Sequence, residues 1–389
     1  MAVGDEGARQ PRTLLEQKIW ERNQSLSEFV ESAEAFARQS GEPGTLSERN
    51  LKRLVAGRRT DGTRVGRPRP ATARLLERIF GTSVDELLGP IERSAAGGDV
   101  AGQELRSAIA TAKRIDPGVV ALLRGQLAAV RQLDRKLGAA TAYHEVAIKV
   151  DQVAELHSYS LSAGTRGQLA ALLAQLSALA GWQALDQGRV STAWNHYERA
   201  KQAARESEDA AFARHVEAEQ AFVLLEIGHA IDAVDLLATT EGDARGDGSP
   251  LLRAWLAAAH GEALAASDRR SESLRAFDRA ESLLPPDPST DDGPYLVLDS
   301  VHLARWRGNA LARIGEADAV GVLDNALRGL DPTFTRAEAG LRVDLATALA
   351  VAGEHDEASL HITKARDLAT EIGSARQLRR LALLPSRRQ

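Results

Sequence analysis

The sequence predicts an all-α chain in two parts, a short N-terminal unit of five helices and a longer C-terminal stack of paired helices. Three observations lead there. Ala, Leu, Arg and Glu dominate, residues that lose little side-chain entropy in a helix, whereas the chain holds only one Met, four Tyr and seven Phe. Apolar residues recur at three- and four-residue spacing, without a run of alternating β-branched residues. A pattern of small residue, turn, small residue and larger apolar residue returns five times in the C-terminal two-thirds. At 389 residues the chain has room for two or three compact units.

Composition also narrows the chemistry. With no cysteine, disulfides, thiol catalysis and thiolate metal sites are excluded. No stretch reaches the roughly 20 apolar residues that span a bilayer. The first twelve residues carry charges of both signs and no apolar signal core, so neither an export signal nor a membrane partner is expected, and a cytoplasmic location is. The net charge of −5 hides an asymmetry. From Arg49 to Arg78 ten basic side chains face two acids, Asp61 and Glu77, whereas 91–389 hold 34 basic and 41 acidic ones. A local basic surplus on an acidic chain points to a dedicated nucleic-acid contact.

The N-terminal helices are placed by their caps. Helices are expected over 13–24 and 25–39, followed by a loop through Gly41, Pro43 and Gly44. Ser47 caps a third helix that ends near Gly57. Pro70 opens a fourth, reaching Phe80, and Ser83 caps a fifth with Asp85 and Glu86 in its first turn. On the third helix Leu51, Leu54 and Val55 share one face. Glu48, Arg49 and Lys52 share the opposite one, flanked by Asn50 and Arg53. Arg, Asn and Glu are the side chains that read base edges in a major groove, pairing with guanine, adenine and cytosine respectively. The basic loop behind this helix offers Arg58, Arg59, Arg64, Arg67 and Arg69 to phosphates.

The run from Ser47 to Arg59, then Pro68 or Pro70, then Phe80-Gly-Thr-Ser-Val-Asp-Glu-Leu-Leu88 resembles the Cro-repressor-type (XRE) helix-turn-helix family. The resemblance covers roughly residues 13–89. It implies that Arg49, Lys52 and Arg53 face the major groove, supported by Glu48 and Asn50. A double-stranded DNA partner and a homodimer on paired half-sites are the corresponding expectations.

The small, Gly-rich run 93–102 marks a boundary. The expected organisation is a DNA-binding domain over 1–90, a linker over 91–116 and a repeat domain over 117–389. Asp116-Pro117 starts a helix whose Leu123, Leu127, Val130, Leu133 and Leu137 form an apolar stripe. The repeats then align on Gly181, Ala221, Gly261, Gly308 and Ala346. Turns follow at Gly188, Gly228, Asp268, Gly315 and Gly353, and small residues at Ala193, Ala233, Ser273, Ala319 and Ala358. Tyr197, Leu237, Phe277, Leu323 and Ile362 are the plugs, and a last helix over 375–384 caps the stack. Each pair cannot bury its face alone, so stacking supplies the core. This pattern resembles the tetratricopeptide repeat, at a longer spacing than that family's unit. Together the two parts are similar to actinobacterial helix-turn-helix regulators with tetratricopeptide tails.

No His-Glu-x-x-His, phosphate loop, nucleophile elbow or dinucleotide glycine pattern is present. The nine histidines are scattered, and His355 and His361 would not share a helix face. No enzyme activity, metal or cofactor is therefore expected. The concave face of the stack is the candidate site for a peptide or small-molecule effector, lined by Trp182, Phe222, Trp255, His302, Arg305, Asn309 and Arg342, with His215 and Glu262 beside them. The leading expectation is a DNA-binding transcription regulator with a helical-repeat sensor or dimerisation domain. The alternative is a tetratricopeptide protein-interaction scaffold without specific DNA binding.

Overall fold

The computed structural model describes residues 11–22, 24–40, 46–57, 65–89, 95–286 and 295–384, without the side chains of 39, 40 and 95–101. Every regular element among them is a helix, and the chain divides into two units, Met1–Leu105 and Arg106–Gln389.

The first unit holds α1 (Leu14–Trp20), α2 (Leu26–Ser40), α3 (Glu48–Ala56), α4 (Pro70–Phe80) and α5 (Val84–Leu87). Their ends follow the caps. Thr13, Ser47 and Ser83 accept from backbone N–H groups of α1, α3 and α5, and Ser83 with Glu86 closes a capping box. Leu46 and Leu51, which bracket the Ser47 cap, are both fully buried, the arrangement of a hydrophobic staple. Leu15, Ile19, Phe29, Leu51, Leu54 and Leu76 belong to one small core. Phe29 stacks on Phe80, and the Arg22 guanidinium lies over the Phe80 ring at 4.6 Å.

The segment 91–116, expected as a linker, carries α6 (Ala95–Ala112), and the boundary between the units falls within this helix. Gln103, Glu104, Leu105 and Arg106, all good helix formers, follow the glycines directly.

The second unit is a tetratricopeptide-like α-solenoid of antiparallel helix pairs. First helices are α9 (Ala163–Asp186), α11 (Ala210–Glu226), α13 (Pro250–Ala266), α15 (Ser300–Arg313) and α17 (Thr335–Ala352). Their partners are α10 (Val190–Glu206), α12 (Ala230–Asp243), α14 (Arg270–Leu283), α16 (Ala319–Gly329) and α18 (His355–Glu371). The reason for the five-fold register is visible at each pair. Gly188, Gly228, Gly315 and Gly353 take positive φ between the paired helices, and Asp268 does the same at 60°. Tyr197, Leu237, Phe277 and Leu323 are fully buried. A Cβ on Gly261 would lie 2.6 Å from the Phe277 ring, and one on Gly308 would lie 2.5 Å from Leu323. Small residues thus admit the plug of the second helix.

A sixth pair precedes these, α7 (Pro117–Leu137) and α8 (Ala139–Ser158). Asp116 caps α7, with Pro117 at its first position. Its buried face keeps the first part of the expected leucine stripe, through Leu123, Leu127 and Val130, but not the last. Val120, Leu127, Val130 and Asp134 are buried, while Leu133 and Leu137 are 44% and 47% exposed. Asp134 is turned inward because Gln183 on α9 and Arg336 on α17 both donate to it.

The last helix, α19 (Ala375–Ala382), packs on α9, α17 and α18, and α17 packs on α7. The two ends of the stack therefore meet. Backbone closeness permits this, since a Cβ on Gly138 would lie 2.5 Å from Ile372, and Gly373 abuts Ala140. No helix among the described residues is long and apolar enough to cross a membrane.

Candidate functional site

On α3 the amphipathic split places Leu51, Leu54 and Val55 in the core and leaves Glu48, Arg49, Lys52 and Arg53 exposed, with Asn50 half-buried. Lys52 pairs with Glu48 at 2.6 Å, and Arg53 donates to the Asn50 side chain at 3.0 Å. Arg49 has no hydrogen bond or ion pair among the described residues. Arg69 is exposed at the start of α4. Arg67 differs from the expectation of a free phosphate ligand, because Asp85 and Glu77 lie 3.5 and 3.9 Å from its guanidinium. Arg58, Arg59 and Arg64 lie outside the described residues, as does the loop 41–45.

The second site is a cavity of about 460 Å³ inside the repeat unit. Its lining follows from helix periodicity. Counted from the aligned small residue of each first helix, the inward positions are those six and two before it and those one and five after it. Six before stand Gln175, His215, Trp255 and His302, and one after stand Trp182, Phe222, Glu262 and Asn309. Arg305 lines the cavity from three before. All the expected effector residues except one are thus brought together. Arg342 stands four before Ala346, off this face, and instead pairs with Glu338 at 2.7 Å and His361 at 3.3 Å.

One wall is aromatic. Trp182, Phe222, Trp255 and Trp306 meet edge to face, with ring centroids 5.5 to 6.2 Å apart. His215 packs on Trp255 and Tyr295 at 4.5 and 5.0 Å. The other walls are ionic. Arg336 lies between Asp134 and Asp186, Arg376 donates to Glu226 at 2.9 Å, and Arg380 and Asn309 both donate to Asp344. Burial alone would lower the pKa values of Arg336 and Arg380, but the facing carboxylates reverse this and raise them. Burial pushes Arg131 down to about 10. A hydrogen bond from the His302 side chain leads in holding Asp299 down to about 2.

Of the ionisable groups on these walls without such partners, Arg135 lies over the Phe334 ring and Arg313 is exposed, which leaves two. Arg305 and Glu262 make no hydrogen bond or ion pair among the described residues, and the Arg305 Nε is fully buried. Burial lowers the pKa of Arg305, opposed by Glu262 and Asp344, and raises that of Glu262, opposed by Arg305. Each thus feels the other without contact. The Nε2 of His302 and the Nδ1 of His215, on histidines 7% and 2% exposed, are also unpartnered.

Several lining residues escape the repeat alignment. Arg131 and Arg135 come from α7, Arg336 from the start of α17, and Arg376 and Arg380 from α19. The one signal for the last two is their four-residue spacing, which sets both on one face of the terminal helix.

No protein-family model matches the chain. No curated protein matches it either. Among solved structures, the apo form of RapI is similar over 69% of this chain and 98% of its own, at 10% identity and a TM-score of 0.42. The TPR domain of P58(IPK) is similar over 94% and 96% respectively, at 10% identity and a TM-score of 0.25. The repeat assignment for this chain rests on its own helix pairs.

Proposed function

We propose that this chain is a sequence-specific DNA-binding regulator of the Cro-repressor (XRE) type, in which α3 reads the major groove and the repeat cavity binds an effector. The observation that carries the reading is the surface of α3. Four charged side chains stand exposed opposite a buried apolar face, and Arg49 makes no hydrogen bond or ion pair among the described residues. A guanidinium so placed can bind guanine O6 and N7 together, a contact worth about 1–3 kcal/mol of discrimination. Lys52 is positioned for phosphate, where its pairing with Glu48 costs little to break because both are solvated. Two copies on paired half-sites complete the reading. An open scaffold for extended protein partners is disfavoured, because the ends of the stack are cross-linked across the face such a partner would occupy.

The test is the double substitution Arg49→Ala with Lys52→Ala, assayed on the operator identified by genomic footprinting. Specific binding is expected to fall by roughly two orders of magnitude and the salt dependence to shallow, with unfolding of the repeat unit unchanged. Unaltered affinity in the double variant would refute the reading.

A further inference from the structure

The effector cavity contains a defect that a ligand of one chemistry would repair. In a protein interior a guanidinium and a carboxyl that are partly withdrawn from water and close enough to influence one another ordinarily join, because their desolvation is otherwise uncompensated. Here the neighbouring charges have joined. Arg376 holds Glu226, Arg380 holds Asp344, and Arg336 holds Asp134 and Asp186. Arg305 on α15 and Glu262 on α13 have not, although each is the foremost charge acting on the other. Both border the cavity. The half-buried Arg305 and Glu262 thus give the cavity a donor without an acceptor and an acceptor without a donor.

We propose that the cavity binds a small, uncharged, planar molecule with an amide-type edge, its carbonyl accepting from Arg305 and its adjacent N–H donating to Glu262. This deepens the effector reading given above and rests on it. Charge selects against the ions. Arg305, Arg376 and Arg380 are balanced by Glu226, Glu262 and Asp344, and the remaining arginine that acts on Glu262, Arg313, is exposed to solvent. An anion would gain Arg305 but meet Glu262 unshielded, and a cation would do the reverse. A neutral edge that both donates and accepts satisfies the two together.

The aromatic wall supplies the rest of the recognition. Trp182, Phe222, Trp255 and Trp306 are locked edge to face on four successive first helices, so they form a preordered apolar surface against which a flat body can lie. At about 460 Å³ the cavity has the size of a small-molecule site.

The test uses the full chain and three probes that share one body: 2-naphthamide, 2-naphthoate and protonated 2-naphthylmethylamine, titrated calorimetrically at neutral pH. The amide is expected to bind at least tenfold more tightly than either ion. Arg305→Met and Glu262→Leu, which keep volume and remove one hydrogen-bonding partner each, are expected to weaken it about tenfold or more. Binding of the naphthoate or the ammonium as tight as that of the amide overturns the proposal. So does amide binding unchanged in both variants, or no binding of any probe. The comparison of the three probes on the unsubstituted chain needs no variant to fold. Footprinting of the Arg49→Ala/Lys52→Ala variant, which does not depend on these probes, reports separately on the regulator reading.

Discussion

Arg336 is a single side chain that holds two buried carboxylates, Asp134 at 4% exposure and Asp186 at 2%. Removing a partner from a buried ionic set leaves charge uncompensated, which costs about 3–5 kcal/mol. Arg336→Met is thus expected to lower the unfolding free energy of the repeat unit, read from urea unfolding, by that order, and Arg342→Met, off the cavity, by far less. Glu262 gives a prediction in pH. Its folded pKa is raised by burial, so the unfolded chain releases this proton first as pH rises. Stability from this group is full below the ordinary glutamate range and is lost as pH climbs from there through the raised value. Glu262→Gln removes the loss, so its stability advantage over the unsubstituted chain, read from urea unfolding at pH 4 and pH 7, should be larger at pH 7. Sequence pattern could indicate that Glu262 and Asn309 face inward, because both stand one residue after an aligned small residue. It could not reveal that Asp134 displaces Leu133 from the buried face of α7, since that depends on Arg336, 202 residues away.

At the scale of the element, the turns and the plugs were the most legible features, because both are set by local sterics. Four of the five turns use glycine at positive φ, and the third uses Asp268, exposed and with φ at 60°. A side chain there costs about 1 kcal/mol that glycine avoids, less the extra freedom glycine has when unfolded. Asp268→Gly is expected to stabilise the unit by a few tenths to about 1 kcal/mol in urea unfolding. Gly261→Ala should act in the opposite direction despite its better helix propensity, by on the order of 1 kcal/mol or more, since the new Cβ would meet the immobile Phe277 ring at 2.6 Å. The pair α7 and α8 was harder to see. Gly138 provides its turn and Ala142 and Val146 its buried second-helix residues. However, Arg131 stands where the other first helices carry a small residue, so the register has no anchor there.

For the repeat unit as a whole, the decisive contacts are the ones that no local pattern encodes. Ser374 donates to Asp186 across 188 residues and Arg376 to Glu226 across 150. Such contacts join the terminal helix to the first repeats, and they depend on the accumulated rotation of every pair between. Deleting 374–389 removes them and opens the cavity on the α19 side. The expected result is a loss on the order of 3 kcal/mol, from the buried face of α19 and its ion pairs, and a rise in acrylamide quenching of the cavity tryptophans. The closure also fixes a number. An open array of repeats can lengthen or shorten by a pair and keep every interface it has. In this array α17 must arrive at α7, so one pair too few would leave the ends apart and one too many would drive them past each other. The repeat count is accordingly part of the tertiary structure, as strictly set as the identity of any core residue.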